Sequence, residues 1–289
     1  CTTVPAAEAW VLSCHKDGQS TVTNGPLSGK TLSEAIDALG KDVLGERGKK
    51  FDFFPVLIKL IDAKKDLSVQ VHPDDEYARK YENSYGKTEM WYVVDCEEGA
   101  RLFYGFKEKT SKEEFEKRIK DNTLTDILRS VEVKKGDCFF IPSGTIHAIG
   151  KGMLIAEIQQ NSNCTYRVYD YGRLGADGKP RQLHVEQSID TIVAPFEPAK
   201  CDTYTENLQG AEHKHLITCP FYSVDKYDVD GVFTIEFDKY FTDVSVVEGS
   251  GTVNGIPLEK GQHFIVPAGY GKCRFEGVMS LICSNPEKH

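Results

Sequence analysis

Two stretches of this sequence repeat each other at a fixed distance. GDCFFIPSGTIH occupies 136–147 and GQHFIVPAGYGK occupies 261–272. Gly136, Phe139, Pro142 and Gly144 recur as Gly261, Phe264, Pro267 and Gly269, each 125 positions on. Gly and Pro at fixed places around an apolar run read as a strand between two turns. Two unrelated strand–turn units could share that punctuation, but an internal repeat accounts better for four identities in twelve positions. The copies part at their last residue, where His147 corresponds to Lys272. If His147 holds a metal ion, the second copy has lost that ligand, leaving one active domain and one structural domain.

The surroundings of both copies are β-rich. FPVLIKLID and LSVQVH carry the β-branched and aromatic residues of strands, and EMWYVVDC at 89–96 is another. ARLFYGF at 100–106 is expected to pair with 89–96 across the turn EEG. Helices interrupt this pattern twice. Thr31 and Glu34 form a capping box ahead of Leu32, Ile36, Leu39 and Val43. Ser111 and Glu114 repeat that spacing in a helical insert of two short helices at about 107–130. The polar, Pro-containing stretch after about residue 193 reads as a linker. Many short strands with Gly and Pro turns predict a mainly β fold with helical insertions, of sandwich or jelly-roll type.

Charge and composition narrow the function. The net charge is −9, with no basic run, which excludes an ordinary nucleic-acid-binding face. A few Lys and Arg converging on a pocket can still hold an anionic substrate. No apolar run approaches the ~18 residues of a membrane span, so no membrane role is expected. CTTVPAAEAWVL lacks the basic region and apolar core of a signal peptide. Nine Cys are scattered without CxxC pairs, which predicts reduced thiols and a cytoplasmic location.

The stretch SVQVHPDDEYARKYENSYGKTEMWYV, 68–93, carries the candidate chemistry. Gln70 and His72 lie two apart on a strand and face the same side. Glu89 begins the next strand. A His before a Pro is by itself more often a turn residue, and a Glu beside Met90–Trp91 is more often a strand-edge charge. Together with His147 they make a mixed N/O set that suits zinc and tolerates other divalent ions. His184 has a helical context and no partner in sequence, so it reads as structural. His15, His213, His215, His263 and His289 have no usable spacing.

The pattern G-x5-P-x-G-x2-H from Gly136 to His147 resembles the second motif of cupins, small jelly-roll barrels that hold a metal inside. QVHPDD, GKTEMWYV, GTIHAIG and QQNSNCTYRVYDYGR, in this order, resemble the type I phosphomannose isomerases, in particular the short bacterial form with a catalytic and a smaller C-terminal cupin. The resemblance covers the chain from about Trp10 onward. It implies a catalytic metal-binding cupin at 1–195 and a cupin-like domain without metal ligands at 205–289. It implies one Zn²⁺ per chain on Gln70, His72, Glu89 and His147, a catalytic Arg at Arg167 and a Lys at Lys87. The implied reaction interconverts mannose 6-phosphate and fructose 6-phosphate through an enediol. There are departures: this sequence lacks the N-terminal W-G-G motif, and the His that precedes the Lys in longer members is here Gly86.

Such an isomerisation needs an electrophile, a base near C1 and C2, and an anchor for the phosphate. Lys87 shares the strand face of Glu89; beside a divalent ion and Arg167 its pKa is expected to fall, making it a proton shuttle or else a phosphate ligand. Glu157 in AEIQQNS is a second base candidate, or a buried salt-bridge partner. Arg167 and Arg173 are the candidates for the phosphate. A metal-dependent cupin oxygenase or epimerase, and a non-enzymatic sugar-binding cupin, are the alternatives; iron-dependent oxygen consumption, or binding without turnover, would mark them.

Overall fold

Alternation along short strands decides what this chain buries. The structure, a computed structural model, describes residues 8–175 and 178–287. In chain order, β1 is Glu8–Leu12, β2 Cys14–His15 and β3 Gly18–Gln19, followed by α1 (Leu32–Leu39) and α2 (Gly45–Gly48). Then come β4 (Val56–Ala63), β5 (Val69–Val71), α3 (Asp75–Tyr81), β6 (Glu89–Cys96), β7 (Arg101–Phe106) and α4 (Lys112–Lys120). Next are β8 (Leu128–Glu132), β9 (Cys138–Ile141), β10 (His147–Ala148), β11 (Met153–Gln160), β12 (Tyr166–Tyr169) and α5 (Val185–Thr191). The remainder is all strand: β13 (Tyr204–Leu208), β14 (Ala211–Thr218), β15 (Tyr222–Phe237), β16 (Thr242–Val253), β17 (Ile256–Glu259), β18 (His263–Val266) and β19 (Gly271–Pro286).

The fold is mainly β with helical insertions, as the sequence predicts. Two five-stranded sheets, ordered β1-β4-β11-β6-β9 and β12-β5-β10-β7-β8, form the jelly roll that carries the first repeat copy. Ile61, Trp91, Val93, Leu102, Ile141 and Ile155 fill its interior. On the far face of the second sheet, Val69, Val71, Ile146, Ala148 and Val168 pack with Phe115 of α4 and with Ile192. Burying each such side chain contributes about 1.5–3 kcal/mol. Because strand side chains alternate, fixing these apolar residues outward turns Gln70, His147 and Arg167 to the opposite face. No helix of the described residues is long and apolar enough to cross a membrane.

The two repeat copies are one local structure used twice. Gly136 and Gly261 have φ of 90° and 87°, and Gly144 and Gly269 have φ of 80° and 74°, a region that glycine enters freely. Gly136 N–H donates to Val93 O at 2.8 Å, as Gly261 N–H donates to Val246 O at 2.8 Å. Even the turn before each strand is shared: Lys134 N–H donates to Asp137 Oδ2, and Glu259 N–H to Gln262 Oε1, both at 2.9 Å.

Two expectations are corrected. First, β7 pairs with β8 and β10, not with β6, whose neighbours are β11 and β9. The chain leaves one sheet for the other at the EEG turn rather than folding back as a hairpin. Second, the insert at about 107–130 holds one α-helix, α4, and a 3₁₀ turn at Leu124–Ile127; from Leu128 it is already strand. Of the described residues, 8–9 with 59–200 and 10–58 with 201–287 make two compact units. The reason is apolar packing and close backbone approach. Phe54 stacks on Phe241 at 5.2 Å, and a Cβ on Gly45 would lie 2.6 Å from Lys239 O.

Burial on β16 also leaves a measurable trace. Asp243 is 1 % exposed, accepts only a 3.3 Å bond from Ser284, and its Oδ1 has no partner. Burial therefore pushes its carboxyl well above the usual range. A carboxyl raised on folding stabilises fully below its unfolded pKa, and that contribution is lost as pH rises toward the folded pKa. Asp243→Asn removes the penalty. It is expected to raise the unfolding temperature of this unit at pH 8, by the equivalent of about 1 kcal/mol or more, with the advantage vanishing toward pH 4. Parallel thermal scans across that range check it; equal midpoints at pH 8 would count against it.

Candidate metal centre

Four chain segments meet in the interior of the first jelly roll. His147 on β10 lies opposite Gln70 on β5, and Gln70 lies opposite Arg167 on β12, so one row crosses the sheet. Glu89 opens β6 in the facing sheet, opposite Gln159 and Ile141. His72 follows β5 directly. The Pro after it starts a turn, and Asp74 then caps α3 by accepting from Tyr77 N–H at 2.8 Å. Among the described residues, His72, Glu89 and His147 are the one group of three acidic, His or Cys side chains with donor atoms close enough for an ion, all within 4.8 Å of one another. None is more than 1 % exposed.

Second partners fix both imidazoles. His72 Nδ1–H donates to Cys164 O at 2.9 Å, and His147 Nδ1–H donates to Thr145 O at 2.8 Å. Each ring therefore presents an unprotonated Nε2 to the site. His147 Nε2 lies 3.2 Å from Glu89 Oε1, and His72 Nε2 lies 3.5 Å from Glu89 Oε2. In these tautomers the contacts set acceptor against acceptor, and Glu89 Oε1 has no hydrogen-bond donor. Such a dry cluster of lone pairs around one carboxylate fits a cation. Burial, with Lys87 adding, holds the His72 pKa well below the usual imidazole range, so it stays neutral. Burial alone would raise Glu89, but the Lys87 ammonium beside it outweighs burial and keeps the carboxylate ionised.

The other expected residues are all placed. Gln70 Nε2 lies 3.4 Å from His147 Nε2. Rotating the amide by half a turn would present its oxygen as a fourth donor. Lys87, 2 % exposed, binds Glu89 and sits 3.0 Å from His72 Nε2 and 3.8 Å from Glu157 Oε1. With no ion beside it, its pKa is raised; the expected fall is tied to a bound divalent ion. Burial works to lower it, but Glu157 and Glu89 hold the proton on. Glu157 accepts from Trp91 Nε1 at 3.0 Å and pairs with Lys59 at 3.4 Å. Arg167 Nη1 donates to Gln182 O at 3.1 Å. Arg173 is bound to Asp170 and to Asp66 O. His184 Nδ1 accepts from Arg167 N–H at 3.2 Å.

Lys59 escaped the sequence reading. Its signal was a lone Lys in the apolar run VLIKLIDA, buried to 5 % exposure on β4. Gly86, the position before Lys87, has no room for a side chain: a Cβ there would lie 2.5 Å from the backbone of Asp74 and Asp75. In the second unit, His213 and His215 each reach Asp225 Oδ1 at 2.8 Å, a carboxylate shared by two rings, far from any repeat of the Glu89 pattern in sequence.

Comparison with known proteins agrees with this geometry. Residues 2–128 match the sequence model of the phosphomannose isomerase type I catalytic domain, and 211–286 that of the mannose-6-phosphate isomerase cupin domain. The chain is 42 % identical to mannose-6-phosphate isomerase ManA of Bacillus subtilis over 98 % of its own length and 91 % of that protein. It is 41 % identical to the mannose-6-phosphate isomerase of Streptococcus mutans over 96 % and 88 %. A crystal structure of the mannose 6-phosphate isomerase from Bacillus subtilis superposes with a TM-score of 0.92 at 41 % identity, covering 96 % of this chain and 89 % of that one. A buried His–Glu–His centre in a two-cupin chain, matched along nearly its whole length, places this protein in the type I phosphomannose isomerase family.

Proposed function

We propose that this chain interconverts mannose 6-phosphate and fructose 6-phosphate with a zinc ion held by His72, Glu89 and His147, and with Gln70 as the fourth donor. The observation that carries this reading is the convergence of two unprotonated imidazole Nε2 atoms on one ionised, buried carboxylate. Two neutral imidazoles, one carboxylate and one amide oxygen are a donor set that zinc accepts. When bound, the ion supplies Lewis-acid polarisation of the substrate's C1 and C2 oxygens as charge develops on them.

The chain's own residues then have separable tasks. The reaction takes a proton from C2 of the aldose, gives an enediol, and returns a proton at C1. Lys87 is the proton carrier. As the neutral amine it takes the C2 proton, and the ammonium so formed, shielded from water on the site wall, hands that proton back at C1. Once Glu89 is engaged as a ligand, Lys87 keeps Glu157 as its carboxylate partner and releases its proton more readily. Glu157 is held by Trp91 and Lys59, which suits a positioning role better than that of a mobile base. Arg167 stays charged throughout and serves as an anion anchor. Binding energy from the remote phosphate is used to position the reacting end.

The test is formation of fructose 6-phosphate from mannose 6-phosphate, with bound metal quantified before and after chelation. Turnover should disappear with the ion and return with added Zn²⁺. Undiminished turnover by the chelated, metal-free protein would overturn the reading.

A further inference from the structure

The second unit holds a row of ionisable groups that the metal centre does not use. Strand register sets Glu206 of β13 opposite His213 of β14, and His213 opposite Tyr227 of β15. Two residues along, Tyr204, His215 and Asp225 follow in the same order across the same strands. The His213 ring lies between two carboxylates: Nδ1 is 2.8 Å from Glu206 Oε1, and Nε2 is 2.8 Å from Asp225 Oδ1. A carboxylate only accepts, and a neutral imidazole carries a single N–H. Both bonds together therefore require the imidazolium. Its face lies on the Tyr227 ring, with centroids 4.8 Å apart and planes at 13°, a stacking that a cationic ring strengthens. His215 has a different part. Its Nδ1–H donates to the same Asp225 Oδ1 at 2.8 Å, and its Nε2 accepts from the Thr218 hydroxyl at 3.1 Å, so one ring proton serves it.

We propose that His213 is a proton-operated latch for β13: as the imidazolium it ties Glu206 to Asp225, and on losing its proton it lets Glu206 and the strand go. Unequal surroundings decide which bond breaks. The Asp225 side chain is 17 % exposed and that of Glu206 is 52 % exposed. The neutral ring keeps its one N–H on Nε2 for the more buried carboxylate, whereas Glu206 can turn to water. The bare Nδ1 then faces Glu206 lone pair to lone pair. Little else holds β13. It is an edge strand of five exposed residues, and among the described residues it pairs with β14 alone. Opening the latch makes β14 the edge of the sheet. The other groups around the ring do not change charge with it. Tyr204 and Tyr227 stay phenols, burial and Asp225 raising both. Cys283 of β19, opposite Asp225, is kept a thiol by burial. Asp202, ahead of β13, faces His215 Nε2 at 3.6 Å. Lys214 and Lys226, between the two rows, point to the other face of the sheet. Burial lowers the His213 pKa, but its bonds to Asp225 and Glu206 outweigh that and raise it. The latch is therefore closed below the ordinary imidazole pKa of about 6.5 and opens as pH rises through the folded value.

Amide hydrogen exchange of the full, metal-loaded protein tests the latch. With rates corrected for the intrinsic effect of pH, protection of Tyr204–Leu208 should fall by about 10-fold or more between about pH 5.5 and about pH 9. The ladder between β15 and β19, in the middle of the same sheet, should keep its protection and serves as the internal reference. The midpoint of the fall should coincide with the titration of the His213 ring followed by NMR. Glu206→Gln is the decisive variant, and its exposed position lets it fold. The glutamine amide serves either state of the ring, donating to a bare Nδ1 or accepting from Nδ1–H, so the step in protection should vanish while β13 stays attached. The His213 midpoint should drop in the same variant, because one of its two anions is gone. Wild-type β13 protection that stays flat across the range overturns the proposal. So does a fall centred away from the His213 titration, or one that survives unchanged in Glu206→Gln.

Discussion

His147→Ala abolishes stable metal binding and lowers turnover by about three orders of magnitude or more, whereas Lys272→Ala leaves both as they are. The two positions are equivalent in the repeat, which makes the pair a controlled comparison. His147 is fully buried, and its ring is oriented by Thr145 O so that Nε2 faces Glu89. Removing the ring deletes one of two nitrogen donors and leaves Glu89 without its counterpart. Lys272 opens β19 on an exposed stretch, opposite Glu236 of β15. The second copy has also lost the carboxylate. Glu89 pairs with Ile141, and Val266, the repeat equivalent of Ile141, pairs with Thr242. At the place of Glu89 there is thus a threonine, whose hydroxyl donates to Asn285 Oδ1 at 2.6 Å. Metal analysis of both purified variants, with turnover of mannose 6-phosphate, reads the prediction. A His147→Ala protein that keeps its ion and its activity would sink the ligand assignment.

Local chemistry explains why so much of this was legible beforehand. Turn glycines, a capping box and two-residue alternation act over a few residues, and each leaves its mark in the sequence. Thr31 does accept from Glu34 N–H while Glu34 accepts in return. Gln70 and His147 do share a face, because the valines and alanine beside them are apolar on the other. Distant pairing left no such mark. Nothing in ARLFYGF says that its partners are 128–132 and 147–148 rather than the strand just before it. Residues 10–58 group with residues 201–289 through contacts such as Phe54 on Phe241, which no local pattern announces. The site's surroundings were hidden for the same reason. Lys59 matters because Glu157 is beside it, and that partner comes from a distant segment of the chain.

Lys87→Met should separate chemistry from metal binding, moving them in opposite directions. Without the ion, the Lys87 ammonium is the cation that neutralises the centre. It binds Glu89 and lies 3.0 Å from the His72 Nε2 lone pair. An ion entering the site has to take both groups from it. Methionine keeps the length of the side chain and its packing but removes that competitor, so the ion is expected to bind more tightly, as read by chelator competition. Glu157 retains Trp91 and Lys59 as partners, so the substitution does not strand a buried carboxylate. Turnover should nevertheless fall by about two to four orders of magnitude, the usual contribution of a positioned proton carrier. The fall should appear in kcat with little change in KM, since the anion anchor is Arg167, beyond Gln70 in the strand row. A Lys87→Met protein that turned over normally would remove Lys87 from the chemistry. One that lost its metal would show instead that the ammonium holds the site together, and the proton carrier would then have to be sought elsewhere on the wall, with Glu157 the first to test.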